Sequence, residues 1–155
     1  MVEFKEDFDM TESIKANVLL VDDEEEFLAT LAKRLELRGM NVITVTRGQE
    51  AVTMVDAHGF DLVVIDLSMP GIDGLETMKR IKAKQPDTEI IILTGQGSIR
   101  AGIEAMKMGA EDFLQKPVNL ADLIEKISEA KDKRMHILES KSIKEIEKIL
   151  NTKSW

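Results

Sequence analysis

The sequence predicts an α/β fold in which a parallel sheet carries helices on both faces. Three observations predict it. Short apolar runs alternate with segments of helical period five times along the chain. The clearest runs are continuous rather than alternating in polarity, as strands buried on both faces require. Each run ends in a polar residue or a turn. Such alternation folds with right-handed crossovers, and ligands of these sheets bind beyond the carboxyl ends of the strands.

The elements follow in order. Residues 1–15, with Phe4 and Phe8 at helical spacing among acids, read as a leader. Val18, Leu19, Leu20 and Val21 form the first apolar run, closed by Asp22 and Asp23. Residues 24–38 have the period of a helix, with Phe27, Leu28, Leu31, Leu35 and Leu37 on its apolar side and Gly39 as the stop. A second strand over 42–45 precedes a helix over 49–57, whose Ala51, Val52 and Val55 turn inward. The third run, 62–65, is closed by Asp66, and residues 69–74 are a loop rich in breakers. A helix over 75–84 leads to Pro86 and a fourth strand over 89–93, which Thr94 ends. Residues 99–108 make a helix stopped by Gly109, residues 112–115 a short fifth strand, and Lys116-Pro117 the turn out of it. Asn119 is a suitable N-cap for a helix carrying Leu120, Leu123, Ile124 and Ile127.

Composition narrows the function. The chain has 155 residues, 43% hydrophobic and 32% charged, which suits one domain with a full core plus a helix or tail. Its apolar runs fall far short of the roughly 20 residues of a membrane span. The acidic N-terminus lacks an apolar signal core, so a cytoplasmic location is expected and no membrane contact. Cysteine is absent, which excludes disulfides and thiolate metal sites. A formal charge of -8 argues against direct nucleic-acid binding. Neither His58 nor His136 has a second histidine at ligand spacing.

The chemistry lies at the strand ends. Asp22, Asp23, Asp66, Thr94 and Lys116 each sit at or just beyond the end of a predicted strand, so all five should meet on one rim. Three carboxylates so placed cannot all stay ionised without a countercharge. A hard divalent cation supplies it, and Mg2+ suits few carboxylates, several waters and a phosphate. Lys116 can pair with an anion beside the metal, and the Thr94 hydroxyl can hydrogen-bond a phosphoryl oxygen. Asp66 is the best nucleophile, able to form an acyl phosphate. Gly71 and Gly95 leave the approach open. Singly, each of these residues has a plain structural reading: acids at a helix start, a turn aspartate, a surface lysine. Jointly they are much harder to dismiss.

Residues 17–130 resemble the receiver domain of bacterial two-component response regulators. The likeness rests on Val-Asp-Asp-Glu at 21–24, Asp-Leu-Ser-Met-Pro-Gly-Ile-Asp-Gly at 66–74, Leu-Thr-Gly at 93–95 and Lys-Pro at 116–117. It implies a flavodoxin-like doubly wound sheet of five strands in the order 2-1-3-4-5, for which the general rule names a member of this family as an example. It also implies that Asp66 is the phosphorylation site, that Asp23 ligates Mg2+ directly and that Asp22 does so through water or holds the site. The Ser68 carbonyl completes the protein ligands, and Pro117 follows a cis bond. The expected function is to accept a phosphoryl group from a histidine kinase or histidine phosphotransfer protein and to switch conformation in a phosphorelay. The chain is then not an enzyme, although self-phosphorylation and autodephosphorylation would use the same Mg2+-dependent chemistry.

In the family the hydroxyl at the Thr94 position moves toward the phosphate and an aromatic ring on the fifth strand swings inward. Here that ring is Phe113, which has no hydroxyl to hold an outward state. Ser68 and Gln96 occupy the variable positions flanking the phosphate. Two rivals remain: an aspartyl phosphohydrolase, which would commonly carry a second aspartate where Ser68 stands, and a phosphate-independent pseudo-receiver. The expected division is a leader over 1–15, a receiver over 16–131 and a helical extension over 132–155. In the extension Ile143, Ile146, Ile149 and Leu150 fall at helical spacing, to pack on their own domain or a dimer mate or to lead to an output partner. Downstream output is expected through a protein partner or self-association, on the surface from the fourth helix across the fifth strand to the last helix.

Overall fold

The computed structural model describes residues 13–67, 74–95 and 99–152. Five strands form one parallel sheet: β1 (Asn17–Val21), β2 (Asn41–Val45), β3 (Leu62–Asp66), β4 (Glu89–Thr94) and β5 (Asp112–Gln115). Their order is β2-β1-β3-β4-β5, as expected. Between them run α1 (Glu25–Glu36), α2 (Gly48–Ala57), α3 (Gly74–Lys84) and α4 (Ile99–Lys107), and α5 (Leu120–Thr152) ends the described chain.

The continuous apolar runs are explained by two separate cores. Val18 and Leu20, Leu62 and Val64, and Ile91 and Leu93 face one core with Leu28, Leu35, Leu123 and Ile127 of α1 and α5. The alternate residues Leu19 and Val21, Val63 and Ile65, and Ile90 and Ile92 face the other with Val55, Met78, Ile81 and Ala105 of α2, α3 and α4. Successive strand side chains point to opposite faces, so a strand covered on both sides has no position left for a polar residue. Each large side chain so buried contributes about 1.5–3 kcal/mol.

The helix stops act as the sequence predicts. Gly39 and Gly109 adopt positive φ (92° and 105°), where a Cβ would be strained. The Asn119 side chain accepts a hydrogen bond from the Asp122 N–H at 3.2 Å, capping α5. One expected core residue is misplaced: Leu37 is 78% exposed, because α1 ends at Glu36 and the turn into Gly39 carries Leu37 off the apolar face. The last helix and the extension are one element, since α5 runs 33 residues without a break. No glycine or proline interrupts the chain between Leu120 and Thr152.

At the base of the sheet, opposite the strand ends that carry the acids, α5 is fastened by charge. Arg134 pairs with Asp61 at 3.0 Å, and Lys133 pairs with Glu111 at 2.7 Å and reaches Glu89 at 4.0 Å. Lys131 donates to the Lys15 carbonyl, and Lys141 pairs with Asp87. Glu89 is buried, and its carboxyl shares a hydrogen bond with Glu111. Desolvation, with the neighbouring Glu111, pushes Glu89 above the ordinary glutamate value of 4.5 despite Lys133 and Lys82. Lys133 and the same shared hydrogen bond hold Glu111 below it. Of the two carboxyls, Glu89 is thus the one whose protonated form is favoured. A carboxyl raised on folding contributes stability that is complete below its unfolded value and lost as pH rises through its folded value. Glu89→Gln keeps a donor toward Glu111 without titrating. The variant is expected to gain on the wild type in urea unfolding as pH rises from 4.5, and a pH-independent difference would contradict this.

Candidate functional site

The order of the sheet gathers the acids. β1 and β3 are adjacent at its centre, so Asp22, just past β1, and Asp66, the last residue of β3, emerge side by side. The Asp22 N–H donates to the Val45 carbonyl at 3.2 Å and the Leu67 N–H to the Leu93 carbonyl at 3.1 Å, which fixes both strand ends. Oxygens of Asp22, Asp23 and Asp66 lie within 4.8 Å of one another, with Asp22 and Asp66 buried and Asp23 exposed.

Lys116 comes from beyond β5, held by its own N–H on the Thr94 carbonyl at 2.8 Å. Its ammonium lies 2.6 Å from Asp22, 3.2 Å from Glu24 and 3.6 Å from Asp66. The Phe27 ring lies beneath it, 4.5 Å from the nitrogen, a cation–π contact. Burial pushes the Asp22 carboxyl above its ordinary value, and Asp66 adds to this. The hydrogen bonds from Lys116 and from the Glu24 N–H (2.9 Å) oppose it without cancelling it. On Lys116 burial works to lower the pKa, but Asp22, Asp66 and Glu24 outweigh it and the ammonium is held above 10.5. One cation thus serves three acids at a partly desolvated rim. The donors are all oxygen and their charge is only partly offset, so the set fits a hard divalent cation.

Asp22, Asp23, Asp66 and Lys116 therefore meet as the sequence predicts. Thr94 ends β4 at the same rim and is fully buried, with its hydroxyl 3.5 Å from the Leu114 carbonyl, a long contact. Ser68, Gly71 and Gln96 lie outside the described residues. The Lys116–Pro117 peptide is cis. Glu24 and Phe27 enter the site although the sequence gives Glu24 a place in the 21–24 motif without a role and Phe27 only a helical one; their positions two and five residues after Asp22 were the available signal.

Two glycines differ in consequence. Among the described residues a Cβ on Gly95 would meet nothing within 4 Å. A Cβ on Gly74 would lie 2.6 Å from the Asp66 carbonyl oxygen and 2.6 Å from the Leu67 Cα, so α3 can start only with glycine against this backbone. Farther out, the half-buried Phe113 packs on α4 over Gly102, whose added Cβ would stand 3.2 Å from the ring and 3.5 Å from the Thr94 methyl.

The family model for the response regulator receiver domain matches residues 18–128. The chain is 33% identical over 132 residues to the C4-dicarboxylate transport transcriptional regulatory protein DctD of Rhizobium meliloti, covering 85% of this chain and 29% of that protein. It is 38% identical over 110 residues to the transcriptional regulatory protein TcrA of Mycobacterium tuberculosis, covering 71% and 44%. The chain thus spans less than half the length of these relatives. Among solved structures, a response regulator receiver domain protein from Clostridium thermocellum superposes with a TM-score of 0.76 at 33% identity, covering 79% of this chain and 98% of that one. NtrX from Brucella abortus superposes at 0.79 and 26% identity, covering 84% and 30%. Among the described residues no helix is long and apolar enough to cross a membrane.

Proposed function

The chain belongs to the response-regulator receiver family, and from that premise we propose that Asp66 is its phosphoryl acceptor, with Asp22, Asp23, Thr94 and Lys116 as the working groups around it. A receiver is a phosphoacceptor switch of phosphorelay signalling. The observation that carries the assignment is the Asp22–Asp23–Asp66 cluster facing one ammonium at the strand ends.

An oxygen of Asp66 attacks phosphorus, the bond from phosphorus to the donor's nitrogen breaks, and the electron pair leaves with the imidazole. Asp22, Asp23 and Asp66 would hold Mg2+, with the Ser68 carbonyl as the further ligand the family resemblance implies, and the ion would neutralise charge on the transferred group. Lys116 stands 3.6 Å from Asp66 and follows the new anion with its ammonium. Thr94 turns its hydroxyl from the long Leu114 contact to a phosphoryl oxygen, and Phe113 fills the space vacated beside Gly102. The donor is a histidine kinase or histidine phosphotransfer protein. Its phosphohistidine is replaceable by acetyl phosphate because the receiver supplies the chemistry, and water later releases the phosphate. Output passes to a protein partner or a second copy across α4, β5 and the start of α5, where Ile99, Ile103 and Met106 are exposed. The relatives are named as transcriptional regulators; the formal charge of -8 is the reason we assign no DNA contact to these residues.

Acetyl phosphate with Mg2+ is expected to add one phosphoryl group to the intact chain, and chelation to prevent it. Peptide mapping of the label to a residue other than Asp66 would overturn the assignment. Lys116→Met tests the countercharge separately: it leaves Asp22 and Asp66 facing each other and should lower metal-free stability by about 1–2 kcal/mol, less than a fully buried pair because Lys116 touches solvent. Mg2+ should restore most of the loss, since the ion no longer competes with the ammonium. Equal urea midpoints of the two proteins in chelator would refute it.

A further inference from the structure

Glu24 stands at the acid rim for a reason that its own helix does not supply. It occupies the N-cap of α1, yet its side chain makes no capping hydrogen bond. Its N–H donates to Asp22 Oδ1 at 2.9 Å, and its carbonyl accepts the first bond of the helix from the Leu28 N–H at 3.0 Å. The backbone is therefore settled and the side chain is left to turn elsewhere. It turns to Lys116, at 3.2 Å. Glu25 and Glu26, in the first turn, suit the helix dipole equally well, and neither pairs with Lys116.

The three carboxylates that share this ammonium are not equivalent. Asp22 and Asp66 belong, with Asp23, to the group close enough to hold one cation, and Glu24 does not. Once Asp22 and Asp66 turn to a divalent cation, the partners left to Lys116 are Glu24 and the Phe27 ring, 4.5 Å from its nitrogen. We propose that Glu24 is a positioning residue: with Phe27 it forms an outer seat that receives the ammonium when Asp22 and Asp66 bind Mg2+ and releases it to the phosphoryl group. This rests on the reading of Asp66 and Mg2+ given above. The Glu24 side chain is 63% exposed, so the seat holds weakly and gives up the ammonium easily. Two effects of opposite sign follow. The seat favours Mg2+, because the displaced ammonium has somewhere to go. It slows phosphoryl transfer, because Lys116 must leave a partner that the transition state does not keep.

Calorimetric titration of the intact chain with Mg2+, and intact-mass measurement of labelling by acetyl phosphate at saturating Mg2+, test both effects. Glu24→Gln is expected to weaken Mg2+ binding about threefold and to speed labelling by about two- to fivefold, the range of an exposed ion pair. Two variants separate the seat from a general effect of charge. Glu24→Asp keeps the charge but draws it back by one methylene, out of reach of Lys116, and should behave as Glu24→Gln does. Lys116→Met empties the seat, and adding Glu24→Gln to it should lower Mg2+ affinity no further. Glu25→Gln is the control and should match the wild type in both measurements. Wild-type behaviour of Glu24→Gln or of Glu24→Asp, a Glu25→Gln variant that reproduces the change, or a loss of Mg2+ affinity that persists beside Lys116→Met would each overturn the proposal. The titrations use no phosphodonor, so they judge Glu24 even where the wild type takes no label, a result that counts against the Asp66 assignment.

Discussion

Asp66→Asn is expected to abolish phosphorylation by acetyl phosphate while making the metal-free protein more stable. The amide cannot act as the nucleophile, so no aspartyl phosphate forms. Removing this charge also relieves a cluster in which three carboxylates lie within 4.8 Å and Asp66 itself helps to push Asp22 upward. Lys116 keeps Asp22 and Glu24 as partners at 2.6 and 3.2 Å. The expected gain in chelator is about 1 kcal/mol, a few degrees in the unfolding midpoint. The same change should weaken Mg2+ binding and leave less stabilisation by added metal. Opposite signs for function and stability distinguish a reactive carboxylate from a structural one. A variant that lost stability would show that Asp66 holds the fold, and one still labelled at position 66 would dismiss it as the acceptor.

Gly74→Ala should produce the largest loss of stability from a single methyl group. The new Cβ would stand 2.6 Å from two backbone atoms of residues 66 and 67, which cannot rotate away as a side-chain tip can. Either α3 withdraws, loosening Met78 and Ile81 from their core, or the end of β3 shifts and carries Asp66 with it. The expected loss is about 3 kcal/mol, with slower labelling of whatever remains folded. Gly95→Ala is the matched control, because its Cβ meets nothing within 4 Å among the described residues, and should change stability by less than about 0.5 kcal/mol. Equal urea midpoints for the two variants would refute the close-approach argument.

The contrast between these glycines marks the boundary of what the sequence shows. The strands and the acids at their ends were legible because burial on both faces leaves an uninterrupted apolar run, and the first polar residue afterwards marks the rim. Gly74 was legible only as a loop breaker; its need arises from backbone 7–8 residues earlier in the chain, which no local pattern encodes. The Glu89–Glu111–Lys133 cluster joins residues that are 22 apart twice over, so its members read as ordinary surface charges. Leu37 fits a helical stripe by spacing but falls beyond the helix end. The unbroken course of α5 was obscured because its apolar stripe changes face near residue 131, which resembles a boundary although nothing there stops a helix.

The glycine beneath Phe113 has a consequence for where motion begins. α4 has only nine residues, and Gly102 at its middle forgoes about 1 kcal/mol of helical preference relative to alanine. Only Gly102 and Ala105 of α4 are buried, and three of its large apolar side chains face solvent. Few contacts therefore oppose its opening, and its amides should exchange with solvent sooner than those of α3, which is anchored by Met78 and Ile81. If the Phe113 ring enters beside Thr94 as proposed above, it would meet a helix with few buried side chains, and a small displacement at the acid rim would then be read out as a change of local order rather than a rigid shift of the whole domain.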